Sequence, residues 1–448
     1  MSVLRFSIRA ARKSAHISGK LLRKSLNFTN KVEHKATNLL DGVDYSIQIN
    51  EKVPLEKIYY NSIPYVLPIH AAMPAVGSKG TVTLLIPSLD GGSFFGGTAT
   101  ALVVAAKLAL LKKCKLRIVQ TLKTGYPSDL AKFFTGEGIT ISNDAIQVIS
   151  IAERSYNVYG YISTHPDDIF IASAWWDAYN LSRMPLKRKF IYLVQDFEPI
   201  FYNNSDQYIL AEETYKNNKF IPLCNTKFMA DFMSDRNYPA FKKSLFFEPA
   251  VSRKESGTLL SKKANDKKTL FLYGRPNVHR NMFFTALQAI DYAFKAGFIN
   301  PNNWDCCMAG QNNLPDIVLS SGAVIKNKGK MSMEDYIEFS KTVDLAISPM
   351  MAPHPNYPTL EFASIGSMVV TTKYANKESL DKYSKNIIMS ELDVESMAGA
   401  INIAVRRTEE DRLANLNNTN ILTSWDESLD DCLKSILDRI NINKSENY

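Results

Sequence analysis

The sequence predicts an α/β protein with two Rossmann-like halves, and three observations support this prediction. Short apolar runs of strand length alternate with helical patterns from Val82 onward. A polar stretch over residues 252–267 divides this series into two. The chain has 448 residues, which is too long for one compact core, since a domain holds roughly 150 residues. Buried strands joined by helices are typical of a parallel sheet, and two such sheets fit the layout better than one.

The first half begins with an apolar strand, a glycine-rich loop and an apolar helix. Gly96 and Gly97 end the loop and are candidate nucleotide-binding residues, because glycines let backbone N–H groups approach a ligand and a helix N-terminus attracts anions. The alternative is a flexible surface turn. The spacing is not GxGxxG, so the loop does not indicate a dinucleotide site. The predicted strands cover residues 82–89, 116–122, 146–152, 169–173, 190–196 and 221–224, and the helix covers 99–113.

Two acidic residues, Asp196 and Glu198, stand at the end of the predicted strand 190–196. Ligands of open parallel sheets bind outside the C-terminal ends of the strands. The two carboxylates could therefore accept hydrogen bonds from sugar hydroxyls, and we predict that they belong to the catalytic site. The alternative is that one of them caps the next helix. Trp175 and Trp176 could stack on a sugar ring, but core packing is their expected use.

The second half carries a pair of arginines and one well-placed carboxylate. Arg275 and Arg280 follow the predicted strand 269–273, and two guanidinium groups suit a diphosphate because each binds phosphate oxygens bidentately. Glu361 follows a proline-braced turn at the start of an apolar helix, where a carboxylate suits a ribose hydroxyl. Lys330 follows another strand end and could reach the nucleotide, the alternative being a solvated turn. These residues together predict a site for a nucleoside diphosphate with a group attached.

The second half is predicted to hold five strands, and a final helix follows it. The strands cover residues 269–273, 305–309, 323–326, 345–348 and 368–372, and the helix covers 424–440. The expected division is therefore a basic extension over 1–50, an N-terminal domain over 51–251, a linker over 252–267, a C-terminal domain over 268–423 and a helix within 424–448 that crosses back to the N-terminal domain.

The positive charge of the chain is concentrated in its first 40 residues. This segment holds nine Lys/Arg and one acid, an excess that equals the +8 net charge of the whole chain. A basic arm on a neutral body indicates an anionic partner, either a membrane surface or nucleic acid. Apolar residues interspersed with the charges favour an interfacial helix on an anionic membrane, so we expect no nucleic acid partner. The alternatives are a disordered tail and a targeting presequence.

Cysteine and histidine usage indicates neither a metal nor a cofactor. The five cysteines are odd in number and lack metal-site spacing, and the six histidines are scattered without an HxxxH motif. Free core cysteines fit a reducing cytoplasm. No apolar run reaches the roughly 18 to 20 residues that span a bilayer, and no secretory signal is evident. We therefore predict a cytoplasmic protein, with its basic arm at the inner face of the cell membrane.

Several of these motifs resemble those of family 4-type glycosyltransferases, which have the GT-B fold. Gly274-Arg275 with Arg280 is similar to the Gly-Arg…Lys signature of that family, with arginine in place of lysine. Gly329–Ser332 resembles its loop near the base, and Tyr357–Ala363 resembles the second half of its Glu-x7-Glu motif. Over roughly residues 80–440 the resemblance implies two Rossmann-like domains facing each other across a cleft. The acceptor would bind the N-terminal domain, and the nucleotide sugar would bind the C-terminal domain.

The resemblance also assigns roles to individual residues. Arg275 and Arg280 would be catalytic, through stabilisation of the departing diphosphate, and the family reaction would require no divalent metal. Gly274 would belong to the nucleotide-binding set, and Lys330 and Tyr357 would contact the base and phosphate region. Glu361 would hold the ribose.

A closer resemblance is to the WsaF-type rhamnosyltransferases of bacterial surface glycans. It rests on the strings at residues 192–199, 210–215, 225–226 and 354–361. It implies a retaining transfer of L-rhamnose from dTDP-β-L-rhamnose to a growing glycan or lipid-linked oligosaccharide, and a homodimer is a further expectation.

One residue departs from the pattern of the wider family. Pro353 stands where the first glutamate of Glu-x7-Glu would be, which removes a partner for sugar hydroxyls and suits a deoxysugar. The alternatives are a GT-B transferase that uses another donor, such as a UDP-hexose, and a non-catalytic glycan-binding scaffold.

Overall fold

The computed structural model describes residues 52–90, 96–126, 130–251, 267–408 and 415–445. The basic extension predicted over 1–50 lies outside these residues, as do Gly91–Phe95 of the glycine-rich loop and all but the last residue of the predicted linker. Residues up to Pro64 and residues Tyr65–Tyr448 form separate compact units. The described part of the first unit contains helix α1 (Leu55–Ser62).

The first half of the second unit is built on a seven-stranded sheet in which all neighbouring strands are parallel. Its elements are β1 (Ile69–Ala72), β2 (Val82–Ile86), α2 (Gly96–Lys112), β3 (Leu116–Gln120), α3 (Leu130–Gly136), β4 (Ile146–Ser150), β5 (Gly160–Ser163), β6 (Ile169–Ala172), α4 (Trp175–Leu181), β7 (Phe190–Val194), α5 (Asp206–Tyr215), β8 (Phe220–Asn225), α6 (Lys227–Asp235) and β9 (Leu245–Phe247). The strand order is β4-β3-β2-β6-β7-β8-β9, and β1 and β5 form a separate parallel pair.

The second half repeats this plan around a second seven-stranded sheet. Its elements are β10 (Lys268–Tyr273), α7 (Phe283–Lys295), β11 (Trp304–Ala309), β12 (Ile317–Val318), β13 (Val324–Asn327), α8 (Met333–Ser340), β14 (Leu345–Ile347), α9 (Tyr357–Ser364), β15 (Met368–Thr372), β16 (Ile387–Ser390), α10 (Val394–Arg407) and α11 (Trp425–Ser445). The strand order is β12-β13-β11-β10-β14-β15-β16. Only the edge pair β12–β13 is antiparallel among the strands described in this sheet.

Each sheet lies between two apolar layers, which explains why its central strands read as continuous apolar runs. Leu84 faces the layer that contains α2, whereas Leu85 faces the layer that contains α4 and α6. In the second sheet Leu270 faces α7 and α10, and Phe271 faces α9. Both sides of each sheet are therefore covered by helices, and the predicted α/β class with two Rossmann-like halves is confirmed.

The final helix α11 packs on the first half. Its residues Trp425, Leu429, Leu433, Ile436 and Ile440 are buried in the apolar layer that also contains α2. This spacing of three and four residues places them on one face of the helix. Two polar contacts fix the start of the helix, an ion pair of Lys107 with Asp430 at 2.8 Å and a hydrogen bond from the indole of Trp425 to Glu137 at 2.9 Å.

The structure corrects several predicted element ends. Strand β2 ends at Ile86, before the predicted residue 89, because Pro87 has no N–H to donate to the ladder. Helix α2 begins at Gly96, three residues earlier than predicted, because the packing of its buried residues 100–109 outweighs the low helix propensity of the two glycines at its start. The sequence analysis missed the short strands β1, β5, β9, β12 and β16, which have between two and four residues each.

Each sheet contains a point at which the strand order reverses direction. In the first sheet this point lies between β2 and β6, and in the second it lies between β10 and β14. The loops that follow these strands leave in opposite directions and open a crevice at the C-terminal ends of the strands, where open α/β sheets bind their ligands. Among the described residues no helix is both long enough and apolar enough to cross a membrane.

Candidate functional site

A cavity of about 570 Å³ is lined by the loops that follow both reversal points. This volume is within the range of small-molecule sites. Pro87, Gly96 and Ser173 come from the first half, and Arg275 and His354 come from the second. Nine of the ten residues that the sequence analysis singled out line this cavity: Gly96, Gly97, Asp196, Glu198, Arg275, Arg280, Lys330, Tyr357 and Glu361.

Gly274, the tenth predicted residue, is not among the residues that line the cavity. A Cβ atom on this residue would lie 3.1 Å from Cβ of Met308 and 3.4 Å from the carbonyl oxygen of Ala309. Its backbone N–H donates to that same carbonyl oxygen at 2.9 Å. The glycine therefore lets the chain pass close to β11 as it leaves β10, and its nucleotide-binding role stays a prediction.

The N-terminus of α2 forms one wall of the cavity. Gly96 has a φ of 52°, in the region that favours glycine. The carbonyl oxygen of Gly97 accepts a hydrogen bond from Nε2 of Gln195 at 2.8 Å, and a Cβ atom on Gly97 would lie 3.2 Å from that nitrogen. The first turn of a 17-residue helix thus faces the cavity, and the N–H groups and partial positive charge at a helix start suit an anionic ligand.

The two predicted arginines have different surroundings. Arg275 is exposed, and Nη1 donates to the hydroxyl of Tyr273 at 3.3 Å. Nε of Arg280 lies 3.0 Å from Oδ2 of Asp196, and its guanidinium group lies over the ring of Phe201 at 4.1 Å. Within the described part of the chain Arg275 makes no ion pair. Its charge is thus fully available to a ligand, whereas that of Arg280 is shared with Asp196.

Asp196 belongs to a buried polar cluster that joins the two halves. Burial raises the pKa of its carboxyl group, and the positive charges of Arg280 and Lys377 oppose this rise. Lys377 is fully buried, and its ammonium group donates to the carbonyl oxygens of Met350 at 3.1 Å and His354 at 3.3 Å. Burial lowers the pKa of Lys377 to about 7. This lysine holds the loop that follows β14, whose residues Met350, His354 and Asn356 line the cavity.

Glu198 caps a helix, although not the one that the sequence analysis considered. Its carboxylate accepts a hydrogen bond from the backbone N–H of Trp175, the first residue of α4. The next helix, α5, is capped instead by Ser205. Burial raises the pKa of Glu198 well above its ordinary value, and the negative charges of Asp196 and Asp177 raise it further.

The two adjacent tryptophans have different environments, so the expectation of core packing holds for only one of them. Trp175 is fully buried, whereas Trp176 lines the cavity and stacks on Tyr65, with 5.3 Å between the ring centres. The indole nitrogen of Trp176 is buried and has no hydrogen-bond partner. It can therefore donate a hydrogen bond to a ligand.

Glu361 lies within α9 rather than at its start. The helix begins at Tyr357, so Glu361 is its fifth residue and does not cap it. Oε2 of Glu361 accepts a hydrogen bond from the hydroxyl of Tyr336 at 2.9 Å. Burial raises the pKa of Glu361 to about 7, and the bond from Tyr336 opposes this rise. The carboxylate lines the cavity and can accept a further hydrogen bond.

The hydroxyl of Tyr357 links the two halves directly. It lies 2.6 Å from Oγ1 of Thr100 in α2, and it accepts a hydrogen bond from Nδ2 of Asn225 in β8 at 2.9 Å. Tyr357 was predicted to contact the nucleotide. The structure places it in the cavity wall with its hydroxyl directed to the first half, so its ring and backbone are the parts that remain for a ligand.

His354 is a cavity residue to which the sequence analysis assigned no role. Nδ1 accepts a hydrogen bond from the backbone N–H of Asn356 at 2.9 Å, so the neutral ring carries its proton on Nε2. Burial and the nearby charges of Lys377 and Arg280 lower the pKa of His354 to about 3. Nε2 is buried without a partner, which leaves one uncharged donor for a ligand.

The turn that carries His354 is held in an uncommon conformation. Asn356 has a φ of 75°, and its side chain donates to Oγ of Ser348 at 2.7 Å. Asparagine tolerates positive φ better than most residues, and such strain is concentrated at functional sites. Lys330 also lines the cavity, and its side chain is exposed. Its backbone N–H donates to Oδ1 of Asn312 at 2.7 Å.

Sequence reasoning missed the contacts of the site that join distant parts of the chain. The pairs Arg280–Asp196, Tyr357–Thr100 and Glu361–Tyr336 leave no local pattern. In the described ranges no group of three or more His, Cys, Asp or Glu side chains is placed to hold a metal ion.

Two sequence-family models match the chain. The model described as the N-terminal domain of WsaF matches residues 81–227, and that of the C-terminal domain of WsaF matches residues 268–402. The chain is also 26% identical over 275 residues to the O-antigen biosynthesis protein RfbC of Myxococcus xanthus. This match covers 60% of the chain but only 21% of the relative, so the chain spans about a fifth of the length of that protein.

Solved structures with a similar fold include several glycosyl-transfer proteins. HepE of Anabaena in complex with UDP has a TM-score of 0.55 and 14% identity, covering 81% of this chain and 99% of that one. TarM of S. aureus, in complex with fondaparinux, α-GlcNAc-glycerol and UDP, has a TM-score of 0.56 and 10% identity, covering 81% and 100%. Sucrose-phosphate synthase of Thermosynechococcus elongatus has a TM-score of 0.53 and 9% identity, covering 82% and 100%. At these identities the likeness concerns the fold.

Proposed function

Because this chain belongs to the WsaF family and has the GT-B fold of glycosyltransferases, we propose that it transfers a sugar from a nucleoside diphosphate to a hydroxyl group of a glycan. The predicted fold and family are confirmed by these matches. The donor, the acceptor and the mechanism are parts of the proposal.

The observation that carries the proposal is the convergence of groups suited to anions and sugars on one cavity. Arg275, Arg280 and the N-terminus of α2 face it from different sides. Positive charge around a diphosphate stabilises a leaving group that becomes more negative as the glycosidic bond breaks. Glu361 also lines the cavity, and its second carboxylate oxygen suits a hydroxyl of the nucleoside sugar. HepE and TarM were each solved with UDP bound, which supports a nucleoside diphosphate as the ligand.

The proposed mechanism uses charge stabilisation rather than a metal ion. The bond between the anomeric carbon and the β-phosphate oxygen breaks, and its electron pair goes to that oxygen. Arg275 and the α2 N-terminus stabilise the resulting charge, and Arg280 contributes as far as its pairing with Asp196 allows. The acceptor hydroxyl bonds to the anomeric carbon on the same face, and its proton passes to the leaving phosphate. This route retains the anomeric configuration.

The acceptor is proposed to bind beside Glu198 and Trp176. Both residues belong to the first half and line the cavity. The stacked pair of Trp176 and Tyr65 presents an aromatic surface on which a sugar ring can pack. A growing surface polysaccharide is the proposed acceptor class, supported by the likeness to a protein of O-antigen biosynthesis.

The proposed donor is dTDP-β-L-rhamnose. Two features support it, the WsaF-type strings of the sequence and Pro353, which offers no side-chain acceptor where the wider family has a glutamate. A 6-deoxysugar has one hydroxyl fewer to satisfy and one apolar methyl group more. The competing donor is a UDP-hexose, which the UDP complexes of the structural relatives favour.

The test is a thermal-shift screen of the full chain against dTDP, UDP and GDP, followed by a transfer assay with dTDP-rhamnose and UDP-glucose. The proposal expects stabilisation by a nucleoside diphosphate and release of that nucleotide when the donor is turned over. No stabilisation by any of the three would contradict a nucleotide-sugar site. Stabilisation without turnover of any donor offered would favour a non-catalytic glycan-binding scaffold instead.

A further inference from the structure

The carboxylate of Glu361 has one oxygen already engaged by a neighbouring side chain. The hydroxyl of Tyr336 donates to Oε2 at 2.9 Å. In the ranges that the structure describes, no donor is bonded to Oε1. Tyr336 and Glu361 both line the cavity, so a ligand that reaches this carboxylate meets one free acceptor oxygen with a phenol beside it.

Tyr336 is fixed in this position by packing. It lies on α8, and its ring meets the ring of Phe362 on α9 edge to face, with 6.0 Å between the ring centres and 76° between the ring planes. Phe362 is fully buried in the apolar layer beneath the cavity. Burial and the charge of Glu361 raise the pKa of Tyr336 well above its ordinary value. The phenol therefore keeps its proton and remains a donor throughout the physiological pH range.

The number of free acceptor oxygens distinguishes two kinds of nucleoside. A ribose offers adjacent 2′- and 3′-hydroxyl groups, and a carboxylate with both oxygens free accepts one hydrogen bond from each. A 2′-deoxyribose offers only the 3′-hydroxyl. The phenol of Tyr336 occupies one of the two acceptor positions of Oε2. The 3′-hydroxyl therefore has Oε1 to itself, whereas a 2′-hydroxyl has to compete with the phenol for Oε2.

We propose that Tyr336 is a specificity-determining residue that makes this site prefer 2′-deoxyribonucleotides over ribonucleotides. The inference rests on the proposed function, because it assumes that a nucleoside diphosphate binds with its sugar at Glu361. It goes further because it names Tyr336 as the residue that selects the nucleoside and the 2′-hydroxyl as the group that distinguishes the two kinds of nucleoside. A buried 2′-hydroxyl that loses this competition makes a poor hydrogen bond, which disfavours the ribonucleotide by on the order of 10-fold in affinity.

The experiment is calorimetric titration of the full chain with UDP, dUDP and dTDP. UDP and dUDP differ only at the 2′-position, whereas dUDP and dTDP differ only in the base methyl group. The titrations are run at about pH 8.5, where Glu361 is charged. The wild-type protein is expected to bind dUDP on the order of 10-fold more tightly than UDP. In Tyr336→Phe, which keeps the ring packing but frees Oε2, the ratio falls to about 1 because UDP gains a partner.

Tyr273→Phe is the matched control. This variant removes a second tyrosine hydroxyl from the same cavity, one that contacts Arg275 rather than Glu361. It is expected to weaken UDP and dUDP together and to leave their ratio unchanged. Circular dichroism and thermal unfolding verify that both variants are folded.

The outcomes separate this inference from the proposed function. Equal affinities of the wild-type protein for UDP and dUDP would overturn the inference while leaving a nucleotide-sugar enzyme intact. A preference for dUDP that persists in Tyr336→Phe would also overturn it, by placing the selection elsewhere. Failure of the wild-type protein to bind any of the three nucleotides would overturn both.

Discussion

Replacing Arg280 with alanine breaks an ion pair between the two halves and leaves Asp196 alone. The carboxylate of Asp196 is almost completely buried, and the arginine side chain is 24% exposed. Removal of one partner from a buried ion pair costs about 3 to 5 kcal/mol, since an uncompensated charge remains. Because water reaches part of Arg280, we expect a loss at the lower end, about 3 kcal/mol of unfolding free energy.

The pH dependence of this loss follows from the pKa of Asp196. Burial already raises this pKa, and removal of Arg280 removes the first of the opposing charges. The folded variant then binds a proton more readily than the unfolded chain, so its stability rises as the pH falls through the folded pKa of Asp196. The deficit relative to the wild-type protein is therefore largest at neutral and alkaline pH, and it shrinks under acidic conditions.

The assay is urea unfolding followed by tryptophan fluorescence, with Arg275→Ala as the matched control. Arg275 is exposed, so its removal should change stability by no more than about 0.5 kcal/mol, although it should lower turnover on the order of 10²-fold. The double variant Asp196→Asn/Arg280→Ala removes both charges and should recover much of the lost stability. If Arg280→Ala is no less stable than Arg275→Ala, or if the double variant recovers nothing, the assignment of a structural ion pair is wrong.

Four further outcomes are expected. Glu361→Gln should weaken dTDP binding on the order of 10- to 100-fold at about pH 8.5. The affinity of the wild-type protein should rise with pH through about 7, as Glu361 ionises, and this rise should be absent from the variant. An unchanged dissociation constant would refute contact with the nucleoside sugar. His354→Ala should lower kcat on the order of 10-fold, and His354→Gln should restore part of the activity because glutamine can replace the donor at Nε2. The pH profile of kcat should show no histidine ionisation between about pH 5 and 9. Equal activity of His354→Ala and the wild-type protein would exclude His354 as a hydrogen-bond donor to the substrate. Transfer should continue in EDTA, since arginines supply the positive charge, and a loss of activity that Mg²⁺ or Mn²⁺ reverses would argue against this. The full chain should co-sediment with anionic vesicles in a salt-sensitive way, and a chain lacking residues 1–40 should not. The reason is that each basic residue contributes about 1 kcal/mol at such a surface. Equal sedimentation of the two chains would show that residues 1–40 do not bind the membrane.

The sequence predicted those parts of the site that depend on local pattern. Arg275 and Arg280 follow a strand within a few residues of each other, and strand ends of parallel sheets share one edge, so their place at the cavity could be predicted. The same reasoning led to Asp196 and Glu198, which also line the cavity, and their catalytic role stays a prediction. Strands with continuous apolar runs were also found, because burial on both faces gives them a distinct composition.

The remaining features depend on packing between distant segments. The bond between Tyr357 and Thr100 joins residues 257 positions apart, and no pattern in either segment indicates it. Trp175 and Trp176 differ because only one side of a seven-residue helix faces the cavity. That helix is too short for the spacing of its apolar residues to show which side is buried. Strands β12 and β16 lie at sheet edges, where partial exposure removes the apolar run that identifies a central strand.

The return of α11 to the first half has a consequence for synthesis of the protein. The apolar layer around α2 is completed by Leu433, Ile436 and Ile440, which are synthesised after the strands of both sheets. Until then a hydrophobic surface on the first half has no cover, and such surfaces are prone to aggregation and to chaperone binding. The first half therefore cannot finish folding before the second half has been synthesised, although its own sheet is made first, and premature termination anywhere before α11 leaves it incomplete.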